Sequence, residues 1–179
     1  MSTDVQAKSK VTKVTITRSY PNDYEIATIR GIDKHKHTVW VYKTKKYPAT
    51  ELDCTGYMVH GNYVYVYEGN KLVALNKQTG KKLWTLKNVN FSSSIYTFDK
   101  SNNLYIVGYY GNTLYKISTK GKVKWHKHLD STKCFWPYGI KISGSKIRVY
   151  FLNSEDKDAD GSYYVWLKCS NGKIIKLVN

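Results

Sequence analysis

The chain has 179 residues, a length that normally buries one hydrophobic core or two small ones, so we exclude a large multidomain enzyme. Hydrophobic residues make up 41% of the sequence and aromatic residues 15%, which excludes a disordered tail and predicts a folded chain. Lys and Arg number 29 against 13 Asp and Glu, and the formal net charge of +16 favours anionic partners.

The sequence carries no run of about 18 apolar residues that would cross a membrane. Residues 1–13 contain no apolar core of the kind found in signal peptides. We therefore expect a soluble protein, either cytoplasmic or the mature form of an exported one. Cys54, Cys134 and Cys169 show no CxxC spacing, so neither a disulfide framework nor a zinc site is indicated.

A first unit of alternating apolar and polar residues spans roughly residues 21–53. Within it, residues 25–40 end at Trp40 and have the alternation typical of paired β-strands. Residues 1–20 precede this unit, and we expect them to form a linker or a strand that joins the first unit to the last.

A second unit, roughly residues 54–90, consists of short alternating runs separated by turn residues. The predicted strands are residues 57–60, 63–68, 72–76 and 82–87. In the run 63–68 tyrosines alternate with valines, so each residue type occupies one face of its strand. Apolar residues on both faces predict a sheet that is packed between two neighbours.

A third unit, roughly residues 91–133, repeats the second. Residues 105–125 match residues 63–84 at an offset of 42, which becomes 41 after a turn that is one residue shorter. Gly80 and Trp84 of the second unit therefore correspond to Gly121 and Trp125 of the third.

The fourth unit, roughly residues 134–179, follows the same pattern more faintly. Gly172 aligns with the turn glycines of the middle units, but Lys176 stands where they have Trp. In the first unit the tryptophan is present and Lys36 stands where the turn glycine is expected.

Four-stranded units at a period of about 42 residues predict an all-β protein, a β-propeller built of four antiparallel blades. The repeat GNKLVALNKQTGKKLW and its counterpart GNTLYKISTKGKVKW resemble the repeat of quinoprotein-like (pyrroloquinoline-quinone-type) β-propellers. The resemblance covers about residues 25–178. Together with KTKKYPATELD and WPYGI, the two clear blades are also similar to propeller domains of uncharacterised exported proteins in low-GC gut Firmicutes.

This resemblance implies that a Gly-Lys turn leads to a tryptophan that docks on the next blade. The residues concerned are Trp40, Trp84, Trp125, Gly80, Gly121 and Gly172. Quinoprotein-like propellers usually carry seven or eight blades, whereas this chain holds three clear blades and a weaker first one. We favour a compact four-unit domain; the alternatives are a homodimer that completes a larger ring and a piece of a longer chain.

Catalytic chemistry finds no support in the sequence. The quinone cofactor of the resembled family needs a cation, a carboxylate, stacking aromatics and, in the dehydrogenases, adjacent cysteines, and this constellation is not recognisable. GxSxG, HExxH, P-loop and dinucleotide-binding motifs do not occur. We expect no catalytic residues and no cofactor, with a quinoprotein-type or other enzyme with an unrecognised site as the alternative.

A short acidic segment resembles the opening of a calcium loop. Asp156, Asp158 and Asp160 precede Gly161 in a DxDxDG pattern, which directs alternate carboxylates towards one hard cation. The loop lacks its bidentate Glu, because Leu167 occupies the twelfth position. A solvated hairpin tip is the competing interpretation.

Aromatic residues at strand ends or in loops are the candidate ligand-binding residues, since they can stack on a sugar or anchor a protein. They are Tyr109, Tyr110, Phe135, Trp136 and Tyr138. The lysines are spread along the whole chain, which is typical of a solvated surface, and the scarcity of Arg argues against sequence-specific nucleic-acid binding.

We therefore predict a non-catalytic binding or scaffolding module that is secreted or held at the cell surface. Its predicted partner is an anionic cell-envelope polymer, a glycan or another protein, with non-specific nucleic-acid binding as a further alternative. A cytoplasmic location stays open.

Overall fold

The computed structural model describes residues 9–49, 54–91, 94–108, 112–129, 136–152 and 163–178. The described chain consists of sixteen β-strands and one short 3-10 turn, Pro21–Asp23. The strands are β1 Val11–Ser19, β2 Tyr24–Asp33, β3 Thr38–Lys43, β4 Tyr47–Pro48, β5 Thr55–His60, β6 Tyr63–Glu68, β7 Lys71–Asn76, β8 Lys82–Lys87, β9 Ile95–Phe98, β10 Leu104–Val107, β11 Thr113–Ile117, β12 Val123–His128, β13 Pro137–Ser143, β14 Lys146–Phe151, β15 Tyr163–Lys168 and β16 Ile174–Val178. None of the helical structure in these ranges reaches the length and apolarity of a membrane-spanning helix.

The strands form four antiparallel sheets of four strands each, which confirms the predicted all-β class and four blades. In the second, third and fourth blades the strands pair in chain order, β5 to β8, β9 to β12 and β13 to β16. The first blade has the order β1-β2-β3, with the two-residue β4 paired to one end of β2.

The first sheet begins earlier than the predicted unit of residues 21–53. Strand β1 pairs antiparallel with β2 along its whole length, from Val11 opposite Asp33 to Ser19 opposite Ile26. In the described chain β1 pairs with β2 alone, so these residues build the first blade rather than linking it to the fourth.

Hydrophobic side chains fill the spaces between successive blades. In β6, Val64 and Val66 pack towards the first blade, whereas Tyr65 and Tyr67 pack towards the third. Both faces of the second blade are therefore buried. A further cluster, which includes Phe151, joins the third blade to the fourth, and in the described ranges no such cluster joins the fourth blade to the first.

A tryptophan on the outermost strand of each of the first three blades lies against a glycine of the next blade. The indoles of Trp40, Trp84 and Trp125 contact Gly80, Gly121 and Gly172 respectively. A Cβ atom on any of these glycines would lie 2.6 to 2.7 Å from an indole carbon, and all three glycines have positive φ, between 67° and 78°. Each position therefore requires glycine for both space and backbone conformation.

Each indole also donates a hydrogen bond into the turn that it covers. The acceptors of the Nε1–H groups are Lys77 O at 2.8 Å, Thr119 O at 2.7 Å and Cys169 O at 3.0 Å. Because a buried indole N–H without an acceptor would cost free energy, this bond fixes the orientation of the ring as well as its depth.

Neither the tryptophan nor the glycine of this contact is present at the positions where the fourth blade would meet a first blade. Lys176 pairs with Trp166 across β15 and β16, as Trp84 pairs with Ala74 in the second blade, so Lys176 occupies the tryptophan position. In the first blade Lys36 occupies the turn position with a φ of 68°, which glycine supplies elsewhere.

We predict that Gly121→Ala lowers the free energy of unfolding by about 2–4 kcal/mol, because the new methyl group meets Trp84 in a strained backbone conformation. The matched control is Gly144→Ala, at a φ of 57° with open space around it, which should cost about 1 kcal/mol. Chemical denaturation measures both variants, and equal losses would show that the indole contact adds no constraint.

Candidate functional site

The fourth blade has one face against the third blade and one face that no described blade covers. Successive residues of β14 and β15 point alternately to these two faces. Residues facing the third blade are Ile147, Val149, Phe151, Val165 and Leu167. The opposite side carries Arg148, Tyr150, Tyr164 and Trp166, with Tyr138 of β13 beside them, and we call these five residues the aromatic face.

Three tyrosines form a continuous row across the aromatic face. The ring centroids of Tyr138 and Tyr150 are 5.9 Å apart, as are those of Tyr150 and Tyr164. These distances are typical of favourable aromatic pairs between neighbouring strands. Tyr138 lies at the open end of the row with 46% of its surface exposed, so a ligand could reach the rings from that side.

Arg148 lies over this aromatic surface. Its guanidinium carbon is 4.0 Å from the ring centroid of Trp166, 4.8 Å from that of Tyr164 and 5.4 Å from that of Tyr150. Arg148 Nη1 donates a hydrogen bond to the Tyr150 hydroxyl at 2.9 Å. Such contacts hold a guanidinium rigidly and leave its charge available to a ligand.

No carboxylate of the described chain pairs with Arg148. Its Nε is buried and has no hydrogen-bond acceptor in the described residues. A cavity of about 90 Å³ lies beside the guanidinium, lined by Lys141, Ser143, Tyr150 and Trp166. The aromatic face therefore combines flat apolar surface with positive charge that the described residues do not neutralise.

The uncovered face of the first blade has a different chemistry. Ala27 and Ile29 of β2 pack towards the second blade, so Thr28 and Arg30 between them point to the other side. There Arg30 Nη1 donates a hydrogen bond to the hydroxyl of Thr17 at 2.8 Å. On this face Thr17 and Thr15 of β1 lie opposite Thr28 and Arg30, and these polar side chains suit a solvated strand surface.

Of the ligand-binding residues predicted from the sequence, Tyr109, Tyr110 and Phe135 lie outside the described residues. Trp136 has a φ of 47° immediately before β13, and its carbonyl accepts a hydrogen bond from the Leu152 amide at 3.2 Å. Tyr138 belongs to the aromatic face. The calcium candidates Asp156, Asp158 and Asp160 also lie outside the described residues.

Sequence reasoning missed the rest of the aromatic face. Arg148, Tyr150, Tyr164 and Trp166 lie within strands, whereas the candidates predicted from the sequence are aromatic residues at strand ends and in loops. The signal was the alternation: large polar-tipped side chains alternate with aliphatic ones in β14 and β15, which marks one face as less buried.

The junction between the third and fourth blades holds the one cluster of potentially reactive groups that we find in the described chain: Asp99, Tyr105, Lys116 and Cys169. The carbonyl oxygen of Cys169 accepts hydrogen bonds from Lys116 Nζ at 2.9 Å and the Tyr105 hydroxyl at 3.3 Å, besides that of Trp125. Lys116 Nζ also lies 3.4 Å from Asp99 Oδ2.

The protonation of this cluster suits a structural role. Burial and the charge of Asp99 raise the pKa of Tyr105, and burial raises the pKa of the Cys169 thiol. Both groups therefore stay protonated at neutral pH, so neither is an activated nucleophile or base. The hydrogen bonds from Tyr105 and Lys116 to the Cys169 carbonyl hold the fourth blade against the third.

Asp99 is held in its charged form. Burial alone would raise its pKa, but hydrogen bonds from the Asn103 side chain and amide, together with the charge of Lys116, lower it below the ordinary value of 3.8. In the described ranges no group of three His, Cys, Asp or Glu residues is placed to hold a metal ion.

We predict that Asp99→Asn destabilises the protein by about 1–3 kcal/mol at neutral pH, because hydrogen bonds to the carboxylate and the attraction of Lys116 weaken. Since the folded-state pKa is lowered, the contribution is complete above the unfolded pKa of about 3.9 and is lost as pH falls through the folded pKa. Urea denaturation should therefore show the two proteins converging below about pH 4. Asp23→Asn at an exposed residue is the control, and a gap that persists unchanged in acid would contradict the assignment.

Comparison with known proteins agrees with this fold. Residues 23–172 match the family described as outer membrane protein assembly factor BamB. Among solved structures, BamB from Moraxella catarrhalis is 13% identical with a TM-score of 0.58, over 94% of this chain and 51% of that one. Hydrazine synthase from Kuenenia stuttgartiensis is 11% identical with a TM-score of 0.56, over 99% and 52%.

The WD40 domain of Pan2 from Neurospora crassa is 11% identical with a TM-score of 0.53, over 90% of this chain and 50% of that one. At such identities the likeness shows the fold alone, and the chain spans about half the length of these three structures. No curated protein matches the sequence. The family match covers most of the sequence and confirms the quinoprotein-like repeat, so the chain belongs to the BamB family of β-propellers.

Proposed function

We propose that this chain is a non-catalytic binding module, located outside the cytoplasm, whose aromatic face binds a carboxylate-bearing segment of another protein. The observation that carries the proposal is Arg148, packed on Trp166 and two tyrosines on a blade face that no described blade covers. The family description supports it, because an assembly factor for outer membrane proteins acts on other proteins at the cell envelope.

The residue types of the aromatic face favour a protein ligand. Tyr, Trp and Arg are the residues most enriched among those that dominate binding energy in protein interfaces. They supply large contact areas with few rotatable bonds, and here the tyrosine rings already pack against one another in tilted pairs. The face is therefore organised before a partner arrives.

The charge of the face favours a partner with Asp or Glu. Arg148 has no carboxylate partner in the described chain, and Lys141 adds a second positive charge beside the cavity. A guanidinium presents paired N–H donors that match both oxygens of a carboxylate.

A second copy of this chain is a weaker candidate for the same face. In a ring of two copies the fourth blade of one would meet the first blade of the other. The tryptophan and the glycine that join the other blades are replaced at that junction by Lys176 and Lys36. Two positive charges would oppose each other there, and Lys36 would occupy the space that an indole requires.

We favour binding over catalysis because the cluster of Asp99, Tyr105, Lys116 and Cys169 between the third and fourth blades has a structural role. Its donors converge on the Cys169 carbonyl, and the raised pKa values of Tyr105 and Cys169 oppose nucleophilic chemistry. The enzyme alternative has no specific observation in its favour.

The test is fluorescence anisotropy with a labelled peptide library. Extended octapeptides combine Asp or Glu with Leu or Phe, and a matched set carries Lys in place of the acids. We predict that an acidic peptide binds and that Arg148→Gln or Trp166→Ala weakens it by about tenfold or more. Arg30→Gln, on the uncovered face of the first blade, should change the affinity less than about twofold.

Thermal melting verifies that both fourth-blade variants remain folded. Equal losses for Arg148→Gln and Arg30→Gln would indicate a general charge effect and sink the proposal. If neutral oligosaccharides bind, and Trp166→Ala weakens this binding while Arg148→Gln does not change it, the ligand of the aromatic face is a glycan instead.

A separate prediction concerns self-association. We expect sedimentation equilibrium to show a monomer of 20.7 kDa. The double variant Lys36→Gly with Lys176→Trp restores the docking contact at the missing junction and should shift the protein towards a dimer, whereas each single variant should stay monomeric. If the unmodified protein is a dimer, the aromatic face is instead an interface with a second copy of the chain.

A further inference from the structure

A groove between the first and second blades is lined mainly by lysines. Its volume is about 350 Å³, near the lower end of the range for small-molecule sites, which is about 300–1,000 Å³. The lining lysines are Lys43, Lys45, Lys71, Lys82 and Lys87. Tyr42, Glu68, Val73 and Thr85 complete the wall, and we call this the lysine groove.

Two of these lysines face each other directly across a pair of strands. Lys71 of β7 lies opposite Lys87 of β8 in the antiparallel register. Val73 and Thr85 form the next pair on the same face, so both lysine side chains start out towards the groove. Like charges in directly opposed positions destabilise a sheet, and Glu68 of β6, opposite Lys71 on its other side, offsets this only for Lys71.

The corresponding groove between the second and third blades lacks this arrangement. There the strand pair β11 and β12 places Thr113 opposite His128, at the positions equivalent to Lys71 and Lys87. A blade can therefore be built without two opposed lysines in this register. The opposed pair of Lys71 and Lys87 does not recur at the equivalent position of the third blade, whereas the fourth blade has an opposed pair elsewhere, Lys146 and Lys168 on β14 and β15.

The lysine groove has one carboxyl group, and it does not balance the lysines. Glu68 is 5% exposed, and its Oε2 is buried without a hydrogen-bond donor among the described residues. Burial raises the pKa of Glu68, against the opposing attraction of Lys71, a hydrogen bond with the Tyr42 side chain and the backbone and charge of Lys45, and one carboxyl group cannot balance five lysines. None of the five lysines forms an ion pair within the described ranges.

We propose that the lysine groove binds a small ligand with several phosphate groups, such as an oligophosphate or a short phosphodiester chain. Lysine ammonium groups act as mobile point charges that donate hydrogen bonds to phosphate oxygens from several directions. Five of them around a small volume match a ligand with a high density of negative charge. The ligand would reduce the repulsion between the opposed Lys71 and Lys87.

The test is isothermal titration with sodium tripolyphosphate at physiological salt, where weak general attraction is screened. We expect saturable binding that Lys71→Gln with Lys87→Gln weakens by about tenfold or more. The matched control, Lys122→Gln with Lys124→Gln, removes the same charge from exposed positions at the outer strand of the third blade, and it should change the affinity less than about twofold.

Melting temperatures provide a second measurement. Because Lys87 opposes Lys71, the single variant Lys87→Gln, which keeps the attraction between Lys71 and Glu68, should raise the melting temperature of the free protein while reducing the increase that tripolyphosphate causes. This result separates loss of the site from loss of the fold. A lowered melting temperature together with weaker binding would count against the proposal.

A short single-stranded oligonucleotide forms a parallel titration. If the oligonucleotide binds when tripolyphosphate does not, and Lys71→Gln with Lys87→Gln weakens its binding, the ligand is a phosphodiester chain and the proposed site is supported. Equal losses for both double variants, or no binding of either ligand at physiological salt, would overturn the proposal. Arg148→Gln should leave tripolyphosphate affinity unchanged, so this site and the aromatic face fail or succeed independently.

Discussion

The contact of a tryptophan with a glycine of the next blade is the constraint on which this architecture depends. The indole lies where any Cβ would be, and its N–H is satisfied by a carbonyl of the same turn. Both the depth and the orientation of the ring are thereby fixed. The apolar clusters between blades fill the space that this contact sets, because hydrophobic packing has no comparable directionality.

The same contact explains why the two terminal blades differ from the middle ones. Lys176 removes the indole from the fourth blade, and Lys36 removes the glycine from the first. Each uncovered face is then released from packing on a neighbour and can acquire another chemistry. The first has become polar and rich in threonine, whereas the fourth has gathered Tyr, Trp and Arg, with Trp166 directly opposite Lys176.

The repeat made the blades predictable, because the spacing of Trp84 from Gly80 recurs as that of Trp125 from Gly121 and both ends of the contact are visible in the sequence. The sequence left both a linker and a strand open for the segment that contains β1, because this segment precedes the first recognisable repeat, although Val14 and Ile16 alternate with threonines. The candidate sites depend on which strands become neighbours. No spacing along the chain places Arg148 over Trp166 or turns the lysines of two blades into one groove.

The positive charges of the chain come from arginines and lysines, and these two residue types have different surroundings in the structure. Each of the three arginines has a specific geometric role: Arg18 lies 3.3 Å from the buried Glu25, Arg30 donates to Thr17, and Arg148 stacks on Trp166. The lysine groove contains none of them. A planar fork suits one oriented carboxylate, whereas a group of flexible ammonium ions suits a compact polyanion of variable shape. The two proposed sites therefore differ in kind: the one on the fourth blade depends on a single oriented guanidinium, and the one between the first two blades on several flexible ammonium groups.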